Sequence, residues 1–167
     1  ADRVMEVFGK PQSKNDRVLL IGGGNVGLSI AKALEAGPQR VRAKVIEKNR
    51  SIAEHAANEL EKTIVLHGDG LEASLLTEAN IAKTDAVLAV TDDDKTNMLA
   101  AVRSKLQGCP KSIVLINDPT LIPLMGSLGI DAYINPRATT VSSILRHIRH
   151  GRVREVYSIG DAEAEVI

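Results

Sequence analysis

Residues 17–27 read R-V-L-L-I-G-G-G-N-V-G. Four apolar residues, Val18 to Ile21, run into three glycines, and Gly27 follows three positions after Gly24. Gly22, Gly24 and Gly27 thereby stand on G-x-G-x-x-G spacing, and a strand–turn–helix gives each glycine a separate task. Gly22 permits the tight turn, Gly24 lets backbone approach a pyrophosphate, and Gly27 lets the helix pack closely on the strand. Amides at the new helix N-terminus, those of Asn25 and Val26 included, then face the phosphates, and the helix dipole favours their charge.

The flanks agree with this reading. Val26, Ile30, Ala33 and Leu34 repeat at helical spacing until Gly37-Pro38 ends the helix. A second apolar strand, Ala43 to Ile46, then ends on Glu47, twenty residues past Gly27. A carboxylate there can accept hydrogen bonds from both ribose hydroxyls of an adenosine, and it repels a 2′-phosphate. Lys48 and Arg50 nearby soften that repulsion. A solvated strand-end glutamate, contributing little to stability, is the bland alternative.

Strands and helices keep alternating downstream. The pattern predicts a helix over 51–60, a strand over 63–66, a helix over 71–79 and a strand over 85–90. A helix over 93–106, a strand over 112–116, a helix over 120–128 and a short strand over 132–134 follow. A last helix spans 137–150. Such alternation means βαβ units. We expect an α/β, Rossmann-like, doubly wound parallel sheet in the order 3-2-1-4-5-6 with helices on both faces. Its ligand crevice lies at the carboxyl ends of strands one and four.

Residues after each strand are therefore the ones to interrogate. Asp69, in His67-Gly68-Asp69-Gly70, either meets the adenosine side of a ligand or caps the helix from Leu71. His67 and Asp69 alone are too few for a metal site. Thr91 is the contact candidate after strand four, and Asn97 either a site residue or a helix satisfier. Of Asp92, Asp93 and Asp94, at least two complement a helix dipole and argue against a second phosphate site there.

Composition sets outer bounds. The 167 residues suffice for one domain with a substantial core, and 21 acidic residues balance 21 basic ones, so no general field favours nucleic acid. One cysteine, Cys109, fits a reducing compartment. No apolar run reaches the roughly twenty residues of a membrane span, and a soluble, cytoplasmic chain is the expectation. Neither a Tyr-x-x-x-Lys pair nor a nucleophile elbow is present, so the sequence offers a nucleotide fold without visible acid–base chemistry.

The segments L-L-I-G-G-G-N-V-G-L-S-I-A-K-A-L, V-I-E-K-N, H-G-D-G, A-V-T-D-D-D-K-T-N-M-L-A-A and the I-N-P-R tail resemble the TrkA-N (RCK, regulator of potassium conductance) domain family. The likeness is nearest to the second such domain of two-domain members. It implies residues 1–16 as a linker or the tail of an upstream domain, 17–150 as the Rossmann-like domain, and 151–167 as the truncated start of a TrkA-C domain. It also implies a cytoplasmic regulator, not an enzyme, that binds NAD or NADH and acts on a membrane-embedded potassium transporter subunit as a dimer or higher ring. ATP and ADP are competing ligands; members favouring ATP often carry Arg where this chain has Asn25. The implied cofactor residues are Gly22, Gly24, Asn25, Val26 and Gly27 in the turn, with Glu47, Lys48, Asp69 and Thr91 at strand ends. Pairing of subunits falls on Met98, Leu99, Val102, Leu121, Leu124 and Met125. The alternative is a fragment of an NAD-dependent dehydrogenase lacking its substrate domain. A regulatory domain of a potassium efflux or chloride-linked transporter shares the same fold.

Overall fold

A computed structural model of the chain describes residues 17–38 and 41–137. The segments 1–16 and 151–167, and all but the first residue of the helix expected over 137–150, lie outside the described residues. Six strands form one sheet: β1 (Arg17–Ile21), β2 (Arg42–Glu47), β3 (Ile64–His67), β4 (Ala86–Ala89), β5 (Ser112–Leu115) and β6 (Ala132–Ile134). Their order is β3-β2-β1-β4-β5-β6 and every pairing is parallel, as the sequence predicts.

The central strand explains itself. Val18, Leu19, Leu20 and Ile21 are all buried, which only a strand covered on both faces permits. Alternation sends Val18 and Leu20 to one layer and Leu19 and Ile21 to the other. The first layer is closed by helices α1 (Asn25–Ala36) and α2 (Arg50–Glu59) through Ala31 and Ala56. The second is closed by α3 (Ala73–Glu78), α4 (Asp94–Leu106) and α5 (Leu124–Ser127), through Leu76, Ala101 and Met125.

Two helices differ from expectation. The helix predicted over 120–128 is a 3-10 turn at Pro119–Leu121 followed by the short α5. Pro123 divides them, because it has no N–H to give and in a continuous helix its ring would crowd the carbonyl four residues earlier. The helix predicted from Leu71 begins at Ala73, since Asp69 takes the Leu71 N–H in a tight turn at 2.9 Å.

The first connection inside the sheet is held by a long-range clamp. The Glu35 carboxylate, at the end of α1, accepts the backbone N–H groups of Glu61, Lys62 and Thr63 at 3.2, 2.8 and 2.7 Å. Burial pushes its pKa up, but hydrogen bonding from Thr63, Lys62 and Glu61 outweighs this and lowers it from 4.5 to about 2.

A crevice at the carboxyl ends of the strands

The glycine turn is fixed by close contacts. Gly22 lies at φ +109°, in the region that favours glycine, and donates its N–H to the Ile46 carbonyl at 2.9 Å. A Cβ on Gly27 would stand 1.9 Å from the Gly22 carbonyl oxygen, so no side chain fits there. Gly24 is different. Its φ of −66° is open to any residue, and a Cβ there would meet nothing within 4 Å. The protein's own packing makes no demand for glycine at this position; the bare space lies at the N-terminus of α1.

That terminus is also uncapped. Gly24 provides no side-chain cap and the first turn of α1 carries no acid. By contrast, Asn49 caps α2 through the Ser51 and Ile52 amides, and Asp93 caps α4 through those of Lys95 and Thr96. Orphan amides at the end of α1, with the dipole behind them, are the arrangement that accepts a phosphate.

Glu47 stands across from the turn at the end of β2. One carboxylate oxygen accepts the Gly23 N–H at 2.6 Å and the other accepts the Asn49 N–H at 2.7 Å. Glu47 is therefore a half-buried strut that ties the glycine turn to the β2 end. This corrects the picture of a solvated residue with little bearing on stability. Each oxygen keeps a second lone pair for hydroxyl donors.

Beside it, the Lys48 ammonium pairs with Asp69 at 2.8 Å. The hydrogen bond from Lys48 comes first among the causes that hold the Asp69 carboxyl below its usual range, and the same bond raises Lys48. Asp69 thus braces the β3 turn rather than capping a helix, because Glu72 stands at the N-cap of α3. The His67 ring meets the Lys48 carbonyl at 3.1 Å. Among the described residues no group of three His, Cys, Asp or Glu side chains could hold a metal ion.

The far side of the crevice is built on Asn97. Its side-chain oxygen accepts from the Thr91 N–H and hydroxyl at 2.9 and 2.7 Å, and its amide donates to the Thr91 and Leu115 carbonyls at 3.1 and 2.9 Å. All four hydrogen bonds are made without any solvent exposure, so Asn97 is a satisfier that joins the ends of β4 and β5. The Thr91 hydroxyl proton is spent on Asn97, which leaves Thr91 only acceptor capacity toward a ligand. Asp94 does more than face a dipole. Its carboxylate accepts the N–H groups of Asn117 and Asp118 and the Asn117 amide, fastening α4 to the loop after β5.

These parts enclose one cavity of about 670 Å³. Gly22, Gly24, Asn25 and Val26 line one wall, and Glu47, Lys48, Asp69 and Thr91 the others. Gly27 lies beneath, buried. Sequence reasoning passed over Ile52 and Leu71 and gave no ligand role to Asn117 and Pro136, which also line the cavity, as does Gly70, expected to allow close backbone approach. Their common signal is position, since most follow directly on a strand end.

Comparison with known proteins sets this geometry in context. The TrkA-N domain family matches residues 18–136. The Trk system potassium uptake protein TrkA of Azorhizobium caulinodans is 40% identical over 165 residues, covering 99% of this chain and 36% of the relative. Its namesake from Vibrio alginolyticus is 37% identical over 164 residues, covering 98% and 35%. The chain thus spans about a third of the length of these relatives. Among solved structures, the TrkA-N domain of the inner membrane protein ybaL from Escherichia coli superposes with a TM-score of 0.71 at 12% identity, over 81% of this chain and 98% of that one. The GsuK channel bound to NAD gives 0.66 at 18% identity, over 81% and 24%. At such identities these structures speak for the fold, while the sequence match fixes the lineage. From residue 18 to residue 136, this chain belongs to the TrkA-N domain family.

Proposed function

We propose that the chain is a nucleotide-sensing regulatory domain of a Trk-type potassium uptake system, binding NAD or NADH in the crevice and acting on a membrane-embedded transporter subunit. The supporting observation is the α1 terminus: uncapped amides face a space that Gly24 keeps bare for no internal reason. A pyrophosphate against Gly24, Asn25 and Val26 would use both features. Gly22 and Gly27 shape the turn, and Glu47 accepts from the adenosine ribose. Lys48 and Asp69 border the adenosine, and Thr91 borders the nicotinamide half. The acidic run Asp92–Asp94 makes the Thr91 side poor ground for a second phosphate, which favours the dinucleotide over longer polyphosphates.

The names carried by the relatives support potassium uptake as the setting. A cytoplasmic regulator at the inner membrane is consistent with the described helices, none of which is long and apolar enough to cross a bilayer. Homo-oligomers, as dimers or rings, complete the reading, with no nucleic acid involved. The domain regulates rather than catalyses, since its crevice offers no acid–base pair for hydride transfer.

Calorimetric titration of NAD, NADH, ATP and ADP on the purified chain tests the ligand. Binding of NAD or NADH at micromolar levels, abolished by Gly24→Asp, supports the reading; absence of any dinucleotide binding overturns it. NADH incubated with small carbonyl compounds should keep its 340 nm absorbance. Oxidation scaling with protein concentration would instead reveal a dehydrogenase.

A further inference from the structure

The opposite end of the sheet carries a second cavity, about 390 Å³, beside the N-terminal ends of β1, β2 and β3. Among the described residues five cationic side chains line it, those of Arg17, Arg42, Lys44, Lys62 and Lys83, and no carboxylate does. In a chain of zero formal net charge this is a local excess. Its placement is costly as well. Arg17 and Arg42 are direct register partners on adjacent strands, where like charges repel.

Two carboxylates stand beside residues of this lining, each bonded to backbone amides. Asp85 accepts the backbone N–H of Arg17 at 2.9 Å, and Glu35 is occupied by the backbone amides of residues 61–63. The ion pairs Lys32–Glu59, Lys48–Asp69, Arg50–Glu54 and Lys105–Asp131 use none of the five cations. Three of the five are instead held in place by neutral carbonyls, Lys62 by that of Glu35 at 3.5 Å. Lys44 donates to the Ala79 carbonyl at 3.0 Å, and Arg17 to the Lys83 carbonyl at 3.3 Å. Each such bond uses one donor and leaves the rest of the ammonium or guanidinium available.

The interior is apolar, with Val18 and Ala43 buried and Ile64 exposed by 56%. A cationic rim around an apolar interior of this volume suits a small organic polyanion. We propose that this cavity is a second anion-binding site, separate from the crevice, for a soluble phosphorylated small molecule bearing two or more negative charges. Its phosphates would meet Arg17, Arg42 and Lys83, and its less polar part would cover Ile64.

The proposal stands apart from the nucleotide reading, because the two cavities share no residue. Inorganic tripolyphosphate serves as the probe, titrated calorimetrically at low salt into the wild type, Arg42→Glu/Lys83→Glu and Gly24→Asp. Both basic side chains are exposed, so the double variant keeps its core, which circular dichroism verifies. Expected is binding to the wild type, a loss of ten-fold or more in the double variant, and retention in Gly24→Asp. Affinity should also fall steeply with added salt. No binding, equal binding by the double variant, or loss confined to Gly24→Asp would overturn the site. Co-sedimentation with phosphatidylglycerol vesicles forms a further arm. Vesicle binding lost in the double variant, without tripolyphosphate binding, would make the patch a membrane contact and overturn the small-molecule assignment.

Discussion

Glu47 carries two loads that the sequence could not show together. Its position at the end of β2 was legible, being twenty residues past the glycine turn. Its bonds to Gly23 and Asn49 were not, because they depend on how the turn folds back over the strand. Glu47→Ala should weaken NADH binding roughly ten- to several-hundred-fold, through loss of charge-assisted hydrogen bonds worth about 1.5–3 kcal/mol each. It should also cost about 1–2 kcal/mol of stability, since two backbone donors lose their acceptor. The gap between NADH and NADPH should narrow as the repulsion of a 2′-phosphate disappears. Titration of both cofactors and urea unfolding of the variant separate these effects; unchanged NADH affinity in a folded variant would remove Glu47 from the site. Asn97 illustrates the reverse case. A lone asparagine in an amphipathic helix reads two ways, and only the meeting of β4 and β5 decides between them.

At the scale of the element, the glycines of the turn separate into those the protein needs and one it does not. Gly27→Ala places a methyl on the Gly22 carbonyl and should cost about 3 kcal/mol or more. Gly24→Ala meets no atom and should cost less than about 1 kcal/mol while weakening dinucleotide binding. Thermal unfolding alongside NADH titration checks the pair, and equal destabilisation by both substitutions would contradict the geometry. The strands were legible because buried parallel strands are continuous apolar runs. The division of the 120–128 segment was missed although Pro123 marks it, because the apolar periodicity on either side masked the break. Glu35 gave no signal at all. Its partners are loop amides 26 to 28 residues away, and backbone donors leave no trace in side-chain pattern.

For the whole molecule, Glu35 sets a pH dependence. Its folded pKa is depressed, so its contribution is complete above the ordinary 4.5 and is lost as pH falls toward about 2. The wild type should lose urea resistance through that window more steeply than Glu35→Gln, which lacks the titrating group. Parallel acid limbs in the two proteins would exclude the clamp. Assembly is read from the surface. Met98 and Met125, expected at a subunit contact, are buried in the core, and Val102 and Leu121 pack against it. Leu99, Leu106, Leu124 and Leu128 remain exposed, Leu106 by 83%. We expect at least a dimer by light scattering at micromolar concentration, converted to monomer by Leu124→Asp/Leu128→Asp. A monomeric wild type would remove these leucines from any self-association.

The contact between Gly27 and the Gly22 carbonyl also works as a ruler. One residue added between them would turn α1 by about 100° and advance it by about 1.5 Å. A side chain would then replace hydrogen beneath the carbonyl, and the amides would leave the crevice. Insertions in descendants of this chain can accumulate where no such contact counts residues, but the interval from 22 to 27 can change in composition and not in length.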